Sequence, residues 1–228
     1  KIVDILVALM TVMIPTLLVV KQPDLGTAII ITLSGLMIIL LAGVSRRLLI
    51  SFATAFLASL PLIWHFLHGY QKDRILTFLS PNKDPLGTGY NIIQSKIAVG
   101  SGGLIGKGWL NGTQSHLSFL PAHTTDFIFS VAAEELGFLG ALMIILCLSA
   151  VFARSIIISL NAQTQYNRLL TASLCLTFIL SAFINISMVI GIVPVVGIPL
   201  PLISYGGSSM ITTMISFGII MSIQTHKK

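Results

Sequence analysis

The chain reads as long apolar runs separated by short polar breaks and one long polar stretch. Six runs approach the ~20 residues an α-helix needs to cross a hydrocarbon core of ~30 Å. They lie at about 2–20, 27–44, 48–67, 127–153, 169–192 and 203–223. The pattern predicts an all-α, polytopic membrane helix bundle, a single integral membrane domain over residues 1–228. Pro15 and Pro61 fall inside runs, where a membrane helix tolerates a kink. The breaks carry turn chemistry: Lys21-Gln22-Pro23-Asp24-Leu25-Gly26, Ser45-Arg46-Arg47, a polar link from Arg154 to Arg168, and a proline- and glycine-rich link from Pro194 to Pro201. The long polar stretch covers about 68–125. Within it, Ser80 to Gly87 is turn-forming. Tyr90 to Val99 then sets apolar residues at 92, 93, 97 and 98 against polar ones at 91, 94, 95 and 96, the spacing of an amphipathic helix on the membrane surface or on the bundle.

Composition agrees with lipid as the solvent. The chain is 55% hydrophobic and 9% charged, with mean hydropathy +0.97, where a soluble domain carries about a quarter charged residues. Cys147 and Cys175 lie in apolar runs and read as small core residues, not as a disulfide or metal pair. No cleavable signal peptide is expected, since Lys1-Ile-Val-Asp-Ile enters an apolar run directly. The net charge of +6 does not call for nucleic acid, because the basic residues sit at helix ends. Alternation of six spans puts Lys1, Arg46, Arg47, Arg154, Arg168, Lys227 and Lys228 on one side and leaves only Lys21 in the opposite short turns. The positive-inside rule makes the basic side cytoplasmic, with the C-terminus there and the long loop outside the cytoplasm.

The candidate chemistry clusters in and around that loop. Gly100 to Gly108 suggests a phosphate loop, but the pattern needs Gly where Ser101 stands and Ser or Thr where Gly108 stands. Two readings stay open: backbone N–H groups with Lys107 holding a pyrophosphate, or a loop that needs positive φ. Asp126, where the loop meets the fourth span, is either a helix cap or a general base. Glu134 lies inside that span, where an ionisable group costs ~2.5–3.5 kcal/mol or more. It either lines the same cavity as Asp126 or hydrogen-bonds a neighbouring helix; Glu135 falls on the opposite face. Asp24 is an N-cap or a second outward carboxylate. Lys96 is a solvated residue or a partner for a lipid phosphate. Ser204 and Tyr205, in Ser204-Tyr205-Gly206-Gly207, bind sugar or phosphate, or the stretch simply packs helices through small residues. His65, His68 and His116 have no recognisable metal-ligand spacing. Asn111-Gly112-Thr113 matches a glycosylation sequon, a match common by chance.

These motifs together carry a resemblance. QPDLGT at 22–27, then QSKIAVGSGGLIGKGW, GTQS, FLP, TDFIF and AEELG, and finally PVVGIPLPLISYGGSS resemble the SEDS family (shape, elongation, division and sporulation), its elongation branch more than its division branch. The resemblance covers essentially the whole chain. It implies a peptidoglycan glycosyltransferase of the bacterial cytoplasmic (inner) membrane that polymerises lipid II, an inverting reaction releasing polyprenyl pyrophosphate, during elongation and rod-shape maintenance. It implies a class B penicillin-binding protein transpeptidase as partner within the elongation machinery. The family's essential loop aspartate maps onto Asp126, and the aspartate of its Gln-Pro-Asp-Leu-Gly motif onto Asp24. Substrate-binding roles are expected for Asp24, Lys96, Lys107, Glu134, Ser204 and Tyr205. A divalent cation, Mg or Mn, is one way to hold the leaving group; no other cofactor is expected.

Two departures from the family pattern stand out. The usual Pro-Glu-x-His-Thr-Asp-Phe is here Pro121-Ala122-His123-Thr124-Thr125-Asp126-Phe127, so a glutamate is replaced by Ala122 and a histidine by Thr124. Family chains also have about ten spans against six here, so the chain is expected to be part of a longer protein and inactive alone. A lipid II flippase and a non-catalytic scaffold are the competing classes. The first predicts function from mid-membrane charge such as Glu134, the second tolerance of charge removal in the cavity.

Overall fold

The structure, a computed structural model, describes residues 2–22, 24–44, 50, 51, 54, 57–59, 61, 65, 69–81, 89–116 and 124–226. Most of the expected span 48–67, including Pro61's surroundings, lies outside the described residues, as does His68. So do most of the turn before Tyr90, the stretch Phe119 to His123 with Ala122, the basic residues Lys1, Arg46, Arg47, Lys227 and Lys228, and the His116 side chain.

Every regular element among the described residues is helical: α1 (Ile2–Lys21), α2 (Leu25–Leu41), α3 (Gly69–Leu79), α4 (Tyr90–Ser101), α5 (Thr113–His116), α6 (Ile128–Leu160), α7 (Gln165–Val189) and α8 (Gly207–Thr225). Three of them, α6, α7 and α8, are long and apolar enough to cross a membrane, and Ile5–Lys21 and Leu25–Leu41 are shorter apolar helices. Helices that are apolar nearly all round are stable in lipid, where the apolar face needs no partner. Accordingly Leu6, Met10, Ile14, Leu17 and Leu18 of α1 remain exposed. α1 keeps Pro15 within one continuous helix and packs on α2, where the Thr16 and Thr32 hydroxyls meet at 3.3 Å. α7 is the central helix, packed against α2, α6 and α8. Its start is fixed by Thr164, whose hydroxyl accepts from the Asn167 N–H. α3 interrupts what the polar pattern presents as continuous loop.

α6 is the anomaly. Its 33 residues would extend about 50 Å, well beyond a ~30 Å hydrocarbon core. Between Glu135 and Arg154 lie 18 uncharged residues, about 27 Å of helix, and this stretch matches the core. The helix is thus longer than the uncharged stretch at both ends, by Ile128 to Glu135 before it and Arg154 to Leu160 after it. The apolar run ends near 153, but the helix does not.

α6 is also broken. Gly137 has φ 68° and ψ −165°, open only to glycine, and the segment 102–108 sits in the break. The N–H groups of Phe138 and Leu139 donate to the carbonyls of Gly103 (2.9 Å) and Leu104 (3.2 Å), and those of Lys107 and Gly108 donate to Glu134 and Glu135 (both 3.0 Å). The backbones interlock closely enough that a Cβ on Gly106 would stand 2.1 Å from the Glu135 carbonyl oxygen. A cut helix is tolerated because this second strand of backbone satisfies what the cut exposes.

After α7 the chain crosses the bundle end as an irregular connection to α8, with Ile198 and Leu200 buried. The well-packed core lies at this end, formed by Phe127, Phe129, Met188, Val189 and Leu200.

Candidate functional site

The start of α2, the start of α6, the end of α7 and the 194–206 connection all meet at one end of the bundle. Asp126 stands at that meeting point, just before α6, and its main chain is held from two sides. The Asn185 amide of α7, fully buried, donates through one nitrogen to the carbonyls of Asp126 (2.8 Å) and Ile198 (2.7 Å). The Ser204 hydroxyl accepts from the Leu200 N–H (2.7 Å) and donates to the Thr125 carbonyl (2.6 Å). The Tyr205 N–H donates to Thr124 (3.0 Å). The Asp126 side chain is treated differently: among the described residues no hydrogen bond or ion pair reaches its carboxylate. It is half-buried beside Gly197, where an added Cβ would stand 3.5 Å from Oδ2. Burial raises its carboxyl above the ordinary aspartate pKa. Asp126 therefore combines a fixed main chain with a carboxylate that no described residue engages.

Asp24 approaches the same connection from α2. Gly26 lies against it so closely that a Cβ would meet the Val196 carbonyl oxygen at 2.5 Å. The Asp24 carboxylate caps α2, accepting from the Thr27 N–H (3.0 Å) and hydroxyl (2.7 Å), and remains exposed. The connection thus brings the two aspartates to one region, with Asp24 in use as a cap and Asp126 not. At this end of the bundle a groove of about 690 Å³ is lined by Thr124, Ile128, Ile203, Ser204, Tyr205, Gly206, Gly207 and Met210; Asp126 is not among its lining residues, but its neighbours Thr124 and Ile128 are. Tyr205 is largely exposed in it, whereas Ser204 is buried, with its hydroxyl occupied as described.

Glu134 and Lys107 find each other. Glu134 is fully buried, and its Oε1 accepts from Lys107 Nζ (2.7 Å), the Thr113 N–H (2.9 Å) and hydroxyl (3.0 Å), and the Gln114 N–H (3.2 Å). Lys107 Nζ donates to Thr113 Oγ1 as well (2.9 Å). Both members of the pair therefore tie the long loop to α6. The backbone N–H groups of Lys107 and Gly108 are engaged in the helix break, and the partly exposed Lys107 ammonium is paired with Glu134. Lys96 is exposed on α4, its stem lying across Gly191 where a Cβ would collide with Cε. Neighbouring Ser95 anchors α4 by donating to the Val189 carbonyl (2.7 Å). Among the described residues no group of three or more His, Cys, Asp or Glu is placed to hold a metal ion.

Asn185 is the residue sequence reasoning missed. A lone amide in an apolar span was the available signal, since a polar group there needs a specific partner. Gly137 was hidden better, because a single glycine in a membrane helix is unremarkable without the segment that fills its break.

The model of the FtsW/RodA/SpoVE family, described as cell cycle proteins, matches residues 1–228. The chain is 52% identical over 223 residues to the peptidoglycan glycosyltransferase MrdB of Escherichia coli, covering 97% of this chain and 60% of that protein. It is 44% identical over 161 residues to the peptidoglycan glycosyltransferase RodA of Treponema pallidum, covering 71% of this chain and 37% of that one. The chain thus spans about 60% of the length of the first of these relatives. Among solved structures, a peptidoglycan synthase complex that coordinates polymerization and crosslinking matches with TM-score 0.78 at 32% identity, over 99% of this chain and 62% of the other. The rod shape-determining protein RodA of Thermus thermophilus matches with TM-score 0.64 at 24% identity, over 100% and 59%, which bears on the fold.

Proposed function

Since this chain belongs to the FtsW/RodA/SpoVE family of cell cycle proteins, we propose that it carries the reaction centre of a peptidoglycan glycosyltransferase that polymerises lipid II, with Asp126 as general base. The observation that carries the reading is the Asp126 carboxylate: its main chain is fixed by Asn185 and supported through Ser204, it is unpartnered among the described residues and half-buried, and Thr124 and Ile128 on either side of it line an open groove. In the reaction, Asp126 takes the proton from the acceptor sugar's 4-hydroxyl. That oxygen attacks the donor's anomeric carbon from the face opposite the pyrophosphate. The carbon–oxygen bond breaks, its electrons leave with polyprenyl pyrophosphate, and the anomeric carbon inverts. Both substrates are lipid-linked, so a site must reach sugars at the interface while their tails stay in lipid. The groove's mixed lining of Ile128, Ile203 and Met210 with Ser204 and Tyr205 suits that need.

Lys96, exposed at the same end and with no carboxylate partner among the described residues, is the better-placed cation for the leaving pyrophosphate. Lys107 is neutralised by Glu134. In this reading the Asp126 end faces outward and the Arg154 and Arg168 end faces the cytoplasm. A class B penicillin-binding protein is the expected partner, in line with the synthase complex of similar fold. The test is polymerisation of labelled lipid II by the full-length protein with its partner. Glycan made by the parent and lost in Asp126→Asn supports the reading. Translocation of lipid II without polymer, insensitive to Asp126, overturns it in favour of a flippase.

A further inference from the structure

The segment 104–110 combines two properties that do not belong together in water. Polar groups in and next to it face inward: the Gly103 and Leu104 carbonyls and the Lys107 and Gly108 N–H groups are bound into the break of α6, and Lys107 Nζ is held by Glu134 and Thr113. Its large apolar side chains face outward. Leu104 is 72% exposed, Ile105 81%, Trp109 72% and Leu110 62%.

We infer that Leu104, Ile105, Trp109 and Leu110 form a membrane-inserting surface that sits among the lipids of the leaflet at the Asp126 end. The depth follows from the interlock. The segment is hydrogen-bonded to residues 134–139 of α6, where the 18-residue uncharged stretch begins. That level is the boundary between headgroups and hydrocarbon, the zone that tryptophan favours. Backbone enters that zone at least cost where its polar groups are engaged, and the α6 break engages the Gly103 and Leu104 carbonyls and the Lys107 and Gly108 N–H groups. The glycines of GSGGLIGKG let the backbone turn tightly against α6 so that the bulky residues between them project. The occupant is lipid rather than water because four large apolar side chains cluster on one short segment. It is lipid rather than a charged partner because the segment's single charge is turned inward. This inference is independent of the reaction proposed above.

The experiment uses the full-length protein in vesicles of phosphatidylethanolamine and phosphatidylglycerol, with native cysteines replaced and a nitroxide attached at Ile105→Cys or Trp109→Cys. Collision with oxygen, which concentrates in lipid, is compared with collision with a water-soluble nickel chelate. Oxygen accessibility exceeding nickel accessibility at both positions is expected. Nickel exceeding oxygen places the segment in water and overturns the inference. Low values for both place it under protein, a covering segment or a partner, and overturn it equally. A cysteine-independent check is Trp109 emission with every other tryptophan replaced by phenylalanine. Blue-shifted emission that is lost in brominated phosphatidylcholine is expected; emission unchanged by bromination contradicts the inference.

Discussion

Asp126 and Glu134 lie eight residues apart at the head of one helix, and the fold treats them in opposite ways. Glu134 is fully buried with its carboxylate saturated: one lysine, one hydroxyl and two backbone N–H groups converge on it. Asp126 has its main chain held by Asn185, while its carboxylate accepts nothing among the described residues. A saturated carboxylate can organise a loop but has little capacity left for a substrate proton. A bare carboxylate on a fixed backbone is the reverse. The comparison separates two residues that a motif-based reading groups together as acidic and site-proximal.

The largest expected effect is on catalysis. Asp126→Asn should lower lipid II polymerisation by about 10²-fold or more, within the range ascribed to general bases, with the amount of folded protein unchanged. The same substitution sharpens the contrast through stability. A carboxylate whose folded pKa is raised by burial favours the fold at low pH, and that contribution is lost as pH rises through the raised pKa. Activity runs the other way, because the base must be ionised: it falls as pH drops through that pKa. Asp126→Asn should therefore raise the melting temperature slightly at neutral pH while abolishing polymer.

Glu134→Ala should do the opposite in kind. Removing one member of a buried pair leaves Lys107 and the start of α5 unmatched, at a cost of about 2–4 kcal/mol. Lys107 is itself partly exposed, which keeps this toward the lower figure. Thermal unfolding measures it, and Lys107→Met with Glu134→Leu should recover part of the loss. If Glu134→Ala left stability intact but removed activity, the division of roles would be wrong.

How far the sequence foretold this contrast depends on the range of the forces involved. Local patterns placed the long apolar helices, the amphipathic helix from Tyr90 and the carboxylate before α6, because solvent partitioning and helical period act within one segment. The Glu134–Lys107 pair and the break at Gly137 depend on residues 102–114 folding onto α6, a contact no local period encodes. Arg154 looked like a helix end because hydropathy stops there, but hydrogen bonding carries α6 on to Leu160. α3 was hidden for a related reason, since its helix has no apolar run to announce it.

Smaller effects test the supports of each carboxylate. Gly137→Ala forces a Cβ to 2.3 Å from the Gly106 nitrogen and into a backbone region that costs about 1–3 kcal/mol for other residues. Unfolding should show that loss, and protease cleavage in 102–114 should increase. Asn185→Ala should lower polymerisation and, by admitting water around Asp126, move the acid limb of the pH–rate profile to lower pH. A purely structural asparagine would lower the amount of active protein without moving the limb. Smallest is Asp24→Ala, which removes an N-cap worth about 1 kcal/mol. Asp24→Asn should restore that stability, so any activity still missing in Asp24→Asn reports chemistry rather than capping.

The most direct measurement places the two carboxylates side by side. Full-length protein with its penicillin-binding partner is given labelled lipid II as parent, Asp126→Asn and Glu134→Gln, and polymer is scored per folded molecule. The account predicts polymer from the parent, none from Asp126→Asn despite full folding, and residual polymer from a less stable Glu134→Gln. Equal polymer from parent and Asp126→Asn would contradict it.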